Sequence, residues 1–401
     1  MSSTAYDVII AGGGPSGACA ATLLAEAGVR VLVLEEKRMP RHKVCGEFIT
    51  SESFPTLSRL QVKERLLDAG AQDLTLLRLV ASSGRIVETP IADMSRAGAS
   101  ALSLSRASLD LILLERAREA GAECLEGVVV KQCLYEDEMP CGVEAMTLSD
   151  GRETVFNASI IIDASGRNSR LMVRRNERAG GKRGSRLYAL KAHFENVSEI
   201  TDQVELYFFP QGYGGLSRIE NGLVNLCFIT NERAIKAAEG DQLKVVKQTV
   251  MENRLARERL DSARVAGKWL SAGPLTFGTR RLSQNGVLAL GDASGMIDPF
   301  TGTGIQIALR TGEMAADAVV EALGSVKESR KSESFFSNHR SLIDRVIDLY
   351  RTRYGKEFGK RMKVAEVLRN AAFSPTTANY LATLLGGLPW VARRVLKATR
   401  S

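Results

Sequence analysis

Gly12, Gly14 and Gly17 stand in the order Gly-x-Gly-x-x-Gly directly after a short apolar run, Val8 to Ala11. That spacing can cradle a pyrophosphate: Gly12 permits a tight bend, Gly14 lets the backbone approach a phosphate, and Gly17 lets the next helix pack closely. Pro15 and Ser16 open that helix, predicted over 16–27 and closed by Gly28. Its free N-terminal amides favour an anion. The next strand, 29–34, ends in Glu35, followed by Glu36. An acid there accepts hydrogen bonds from ribose hydroxyls. The ensemble predicts a dinucleotide without saying which.

A second glycine segment lies far downstream, Gly291-Asp292-Ala-Ser-Gly-Met-Ile-Asp-Pro299-Phe-Thr-Gly302-Thr303-Gly304. It follows an apolar run and leads into an apolar, alanine-rich helix predicted over 305–323, so a second helix N-terminus is offered to an anion. Between them lies Arg41-His42-Lys43-Val44-Cys45-Gly46-Glu47-Phe48. Cys45 with three cationic or protonatable neighbours is a candidate for thiolate chemistry, with packing as the plainer reading. His42, one of three histidines, is a candidate general acid or base. Arg41 is a candidate phosphate partner.

The elements that must position these residues read as an interleaved α/β chain. Short buried strands alternate with helices at the N-terminus, and an amphipathic helix over 105–120 closes at Gly121. Strands are predicted at 123–133, 142–148, 153–157 and 159–163. Residues 185–229 alternate polar and apolar with aromatics, the mark of antiparallel sheet. Tyr207 and Phe209 should share one face and Phe208 the other. Tyr207, Phe209, Tyr213 and Gly214 are the expected substrate-pocket residues. Helix returns over 231–260 and dominates the last 70 residues.

Charged residues are 25% and apolar ones 44%, an ordinary globular balance, with a net charge of +8. The excess suggests anionic cofactors, substrates or surfaces. No zinc-finger spacing, RNA-binding motif or basic arm is present, so nucleic acid is not an expected partner. No metal-ligand cluster is evident in the spacing. Six cysteines without a CxxC fit a reducing cytoplasm. Residues 8–25 carry no charge, but glycines, a proline and the lack of a basic start exclude a signal peptide. Gly386 to Lys397, with Trp390, either lies on an anionic membrane surface or packs as a helix over the second domain.

The glycine turn with Glu35, the segment Asp163-Ala-Ser-Gly166-Arg-Asn-Ser169, and Gly291-Asp292 through Gly304 together resemble the FAD-dependent oxidoreductase superfamily with the para-hydroxybenzoate hydroxylase fold. The resemblance covers roughly residues 1–330. It implies a glutathione-reductase-like FAD-binding Rossmann domain, an inserted antiparallel β-sheet substrate domain and a helical C-terminus. The expected bounds are 1–80, 99–178 and 271–330 for the first, 81–98 and 179–270 for the second, and 331–401 for the third. The family pattern puts Asp292 on the ribityl chain. It sets Pro299 to Gly304 against the N1–C2=O side of the flavin, and Arg106 near the phosphates and ribityl chain. The backbone at Val129 would meet adenine, and Asp163 and Gly166 would lie near cofactor. Cys45-Gly46 would lie beside the isoalloxazine, as a Cys-Gly pair does in prenyl reductases.

For function, the resemblance implies a flavin monooxygenase acting with O₂ on an apolar or aromatic small molecule, polyketide- or isoprenoid-like. An FAD-dependent reductase of isoprenoid double bonds and a non-catalytic or electron-transfer flavoprotein are the alternatives. Ala164 stands where many hydroxylases have glycine, so electrons are expected from transient NAD(P)H or a separate reductase. The Tyr-x-Trp-x-Phe-Pro pattern of prenyl reductases, aligned on Tyr213, finds Gly215 and Ser217. The Trp-x-Trp-x-Ile-Pro halogenase motif is absent.

Overall fold

The computed structural model describes residues 6–172, 186–279, 281–296, 300, 302–329 and 335–372. Its first sheet is organised around strand Tyr6–Ala11, which pairs in parallel with Val31–Glu35 and with Glu153–Asp163. Glu123–Glu126 and Val287–Ala289 extend it in parallel on the two sides. A parallel strand buried on both faces must be apolar throughout. Val8 and Ile10 pack with Val31, Val33 and the helices, whereas Ile9 and Ala11 pack with Leu32, Leu34 and a β-ribbon.

Helix Pro15–Glu26 covers one face beside Arg106–Glu119 and Gly304–Ser329. Ser105 caps the Arg106 helix by accepting from the Ser108 amide. At Gly312 a Cβ would run into the Ser16 carbonyl and stand 3.0 Å from Cys19 Cβ, so these two helices touch backbone to side. The other face carries the ribbon Val128–Glu136, Met139–Thr147 and the first half of Glu153–Asp163. Two strands expected at 153–157 and 159–163 are thus one. Asn157 still pairs antiparallel with Gly142, and Ala158 already pairs parallel with Tyr6.

The second sheet has seven strands in the order Arg264–Ala272, Leu187–Glu195, Val224–Asn231, Gly212–Arg218, Gln203–Phe209, Leu76–Val80, Ile86–Pro90. It draws in Leu76–Val80, which the sequence reading left with the first unit. Helices Glu232–Ala237, Gln242–Gln248 and Arg254–Leu260 cover one face, where Tyr207, Phe209 and Phe228 are buried with Val245 and Val246. The opposite face meets Val44 of segment 41–49 and Phe300 of the second glycine segment. Helix Phe335–Ala372 packs on the first core through Tyr350, Tyr354 and Phe358, and the Tyr350 hydroxyl donates to the Ala289 carbonyl at 2.9 Å. Residues 373–401, with Trp390 and the two readings of that segment, lie outside the described residues. Among those described, no helix is long and apolar enough to cross a membrane, and all six cysteines are free.

The Gly312 crossing is directly testable. Gly312→Val should destabilise the fold by about 1–3 kcal/mol, the range for overpacking a core. Urea unfolding with unchanged midpoint and slope would mean that the helices do not approach this closely.

Candidate functional site

The dinucleotide turn forms as its spacing predicts. Gly12 has φ +107°, a conformation that L side chains rarely adopt, and a Cβ there would collide with the Ala164 backbone. Gly14 is open, with only the Arg41 guanidinium near a Cβ, at 3.8 Å. Helix Pro15–Glu26 has no side-chain cap and no acid in its first turn, so its leading amides are left for an anion. The Glu35 carboxylate accepts from the Gly13 amide at 2.7 Å and the Lys37 amide at 2.9 Å. Glu36 faces outward and pairs with Lys37 at 3.2 Å.

Cations gather over this turn. Arg41 approaches Glu35 at 3.4 Å and Asp110 at 3.2 Å, yet its buried Nε and Nη1 find no well-aligned acceptor. Arg106 is held bidentately by Asp110 at 2.7 and 2.8 Å. Lys43 is exposed but hemmed in. Lost hydration, with Arg106 and Arg41 nearby, lowers its pKa, while Asp110 and Asp292 oppose the shift. Lys43 therefore stands where the two glycine segments meet. Near it, Gly166 has φ +81° with the Lys43 ammonium 3.5 Å from where a Cβ would lie. Unaligned buried donors and an uncapped helix over an open glycine fit a pyrophosphate.

The second segment supplies the far end. Gly291–Ala293 form a single tight turn that carries Asp292, and the Gly291 amide donates to Thr311 at 3.0 Å. Gly302 has φ +66° with Phe48 against it, Thr303 is buried, and Gly304 starts the helix. Pro299 lies outside the described residues. Val129 is buried on the ribbon opposite Met146. The Asp163 carboxylate accepts from the Ser165 amide and hydroxyl and from the Ser169 hydroxyl, which shapes the turn that follows it.

Between the two sheets, segment 41–49 is pinned by a buried carboxylate. Glu47 sits at φ +55°, unusual for a residue with a side chain. It accepts from the Lys191 ammonium, from His193 at 2.8 Å and from the Arg106 amide at 2.7 Å. Burial alone would raise its pKa, but the His193 bond and Lys191 hold it below the ordinary carboxylate range. Lys191 also donates to the Lys43 carbonyl at 3.1 Å, and Asn225 to the Cys45 carbonyl at 3.1 Å. Cys45 is half-buried with the Glu47 amide 3.3 Å from its sulfur, and Gly46 faces open space. His42 is exposed, its ring edge-on to His193 at 5.1 Å. Ligand-type atoms of His42, Glu47 and His193 thus lie within 4.8 Å of one another, a grouping absent from the sequence reading. The Lys191 ammonium already neutralises that carboxylate, so a further cation would stand against it.

The apolar wall is where the pocket expectation needs correction. Tyr207, Phe209 and Gly214 lie on the helix-covered face. Tyr207 donates to Glu205, and a side chain at Gly214 would strike Phe228. The alternation was legible, but it does not say which face is covered. On the other face Tyr213 and Phe208 meet Phe300, at centroid distances of 5.6 and 5.8 Å, with Ile229, Leu275 and Phe277. Phe300 comes from the second glycine segment, so the aromatic wall and that segment are joined. Lys191, His193 and Asn225 escaped notice, although two polar residues on one face of the apolar strand Leu187–Glu195 were a usable signal.

Comparison with known proteins agrees with this geometry. The FAD binding domain family matches residues 5–330. The chain is 27% identical over 376 residues to digeranylgeranylglycerophospholipid reductase 2 of Methanopyrus kandleri, covering 90% of this chain and 85% of that one. It is 23% identical over 375 residues to the 1H-pyrrole-2-carbonyl-(peptidyl-carrier protein) chlorinase of Pseudomonas fluorescens, covering 86% and 81%. Among solved structures, a geranylgeranyl bacteriochlorophyll reductase-like protein from Thermoplasma acidophilum superposes with TM-score 0.76 at 20% identity, covering 95% of this chain and 91% of that one. A flavin-dependent brominase gives 0.75 at 19%, covering 98% and 94%.

Two outcomes test the site. Gly14→Val and Asp292→Ala should each purify without stoichiometric FAD; retained flavin absorbance in both would overturn this map. Because the Glu47 pKa is depressed, its contribution is complete above the ordinary value of 4.5 and is lost as pH falls through the lower folded value. The stability gap between wild type and Glu47→Gln should be about 3–5 kcal/mol near neutrality and close below that pH. A gap independent of pH would show that Glu47 is not ionised in the fold.

Proposed function

The chain belongs to the FAD binding domain family and is an FAD-dependent oxidoreductase of the para-hydroxybenzoate hydroxylase fold; from that premise we propose that it is a monooxygenase of an apolar or aromatic small molecule. The observation that carries this is the wall of Phe208, Tyr213 and Phe300, which sets aromatic edges against the segment expected at the flavin. Such edges favour a flat or apolar ligand and keep water from it.

In this reading the amides after Gly12, with Arg41, hold the pyrophosphate, Asp292 the ribityl chain, and the Gly304 helix start the N1 side of the ring. Bound FAD would supply a two-electron store that the protein itself lacks. The chain's own residues do the positioning. Arg41, Lys43 and Arg106 balance the phosphates, and Glu47 and Asn225 fix the backbone of Cys45-Gly46. The aromatic wall orients the substrate. NAD(P)H or a separate reductase provides the electrons.

A second reading, reduction of isoprenoid double bonds, is favoured by the kinship with prenyl-lipid reductases and by Cys45, set between Glu47 and Asn225. A long-chain alkylphenol and geranylgeraniol, each incubated with the reduced enzyme under ¹⁸O₂, separate the two. Monooxygenation predicts one ¹⁸O atom in the alkylphenol product. Geranylgeraniol that gains two hydrogens and no oxygen, with the phenol untouched, would replace this proposal by the second.

A further inference from the structure

Four ionisable side chains from two units converge where segment 41–49 meets the second sheet. Glu47, Lys191 and His193 are 0%, 1% and 8% exposed, and His42 stands open beside them. One buried carboxylate needs one countercharge, and Lys191 provides it. His193 is surplus to that need. It bonds Glu47 on one side and meets the His42 ring on the other, and one atom of each lies within 4.8 Å of the others. Direct contact or a single bridging water spans such a distance.

Either chemistry above needs a supplied proton. Adding one oxygen atom follows RH + O₂ + 2e⁻ + 2H⁺ → ROH + H₂O, and saturating a double bond takes two electrons and two protons. A hydride donor such as NAD(P)H carries both electrons but only one proton, so the second must come through the protein or from water.

We propose that Glu47, His193 and His42, with Lys191 as fixed countercharge, form a proton-transfer chain that serves the reaction, His42 being its open end. This rests on the oxidoreductase reading. His42 in its imidazolium form gives up one proton to the reaction and takes another from water at its exposed edge, and the ring contact with His193, itself bonded to Glu47, lets the pair share that proton; no electron moves along the chain. The other groups facing these rings are compatible with that role. His42 is shifted toward its neutral form by lost hydration and by His193 and Lys191, against Glu47 and Glu220, which makes its imidazolium a ready donor. The Arg106 amide and the Lys43 carbonyl are bonded into the cluster and carry no mobile proton. Cys227, pushed up to about 12 by burial and by Cys45, stays a thiol.

The chain has only three histidines, so NMR of ¹³C-labelled histidine reads the relay without substrate or cofactor. Glu47→Gln should lower the His42 midpoint and His193→Gln should raise it, since the first removes a charge that favours the imidazolium and the second one that opposes it. His339, which contacts the Ser159 carbonyl at 2.8 Å, should not move and serves as the control for folding. In the FAD-loaded enzyme, His193→Gln should lower kcat by roughly 10²-fold, leave KM, and remove one limb of the pH profile. A His42 midpoint unchanged by both Glu47→Gln and His193→Gln would overturn the relay. Coupled histidines in a protein that turns over neither probe substrate would overturn the functional reading and leave the relay standing.

Discussion

A carboxylate sealed from water organises this molecule. Glu47 lies in the segment that crosses from the dinucleotide half to the second sheet, in a backbone conformation that costs a side-chain-bearing residue about 1–2 kcal/mol. Its oxygens are satisfied by Lys191 and His193 of the second sheet and by the Arg106 amide of the cofactor-side helix. One residue thereby ties three elements together, and its neighbours Cys45 and Gly46 inherit their position from it. An ion pair this enclosed is poorly suited to adding stability, because desolvation offsets much of the attraction. It is well suited to fixing one geometry, since any partner removed leaves a charge stranded.

The rest of the site follows from charge. Arg41, Lys43 and Arg106 are gathered against two carboxylates, Glu35 and Asp110, that restrain them without saturating them. Lys43, between these cations and Asp292 of the second glycine segment, is lowered in pKa by lost hydration and by its cationic neighbours, with Asp110 and Asp292 opposing. On the opposite side, Phe300 carries the second glycine segment into the aromatic wall. The polar cluster and the wall occupy the same face of the second sheet, Lys191 and His193 toward segment 41–49 and Tyr213 toward Phe300. That division suits a ligand held by its apolar body with the redox ring at its edge.

Much of this was legible in the sequence where a local rule applied. The Gly12–Gly17 turn, the helix it starts and the acid at Glu35 are dictated by backbone geometry within 30 residues. Ser105 and Gly121 marked the ends of the Arg106 helix because capping is a local matter. Tertiary choices were not legible. Alternation in Gln203–Phe209 gave two faces, but the later helices decided which became core, so Tyr207 and Phe209 went under them and Phe208 did not. The partnership of Glu47 with Lys191 and His193 spans more than 140 residues, and no spacing encodes it.

Strand Glu153–Asp163 has one more implication. Its parallel neighbours come from residues 6–11 and 287–289, so the central sheet closes only after the whole inserted unit has been made. Contacts so distant in sequence form late and slowly during folding. The last piece to arrive is the stretch that ends at Asp292, with Gly14 waiting at the other end of the chain. A ligand that touches both Gly14 and Asp292 joins the turn after the sheet's first strand to the turn after its last, and by mass action it favours the closed sheet over every partly assembled form. In such a topology the prosthetic group is also the final element of the fold.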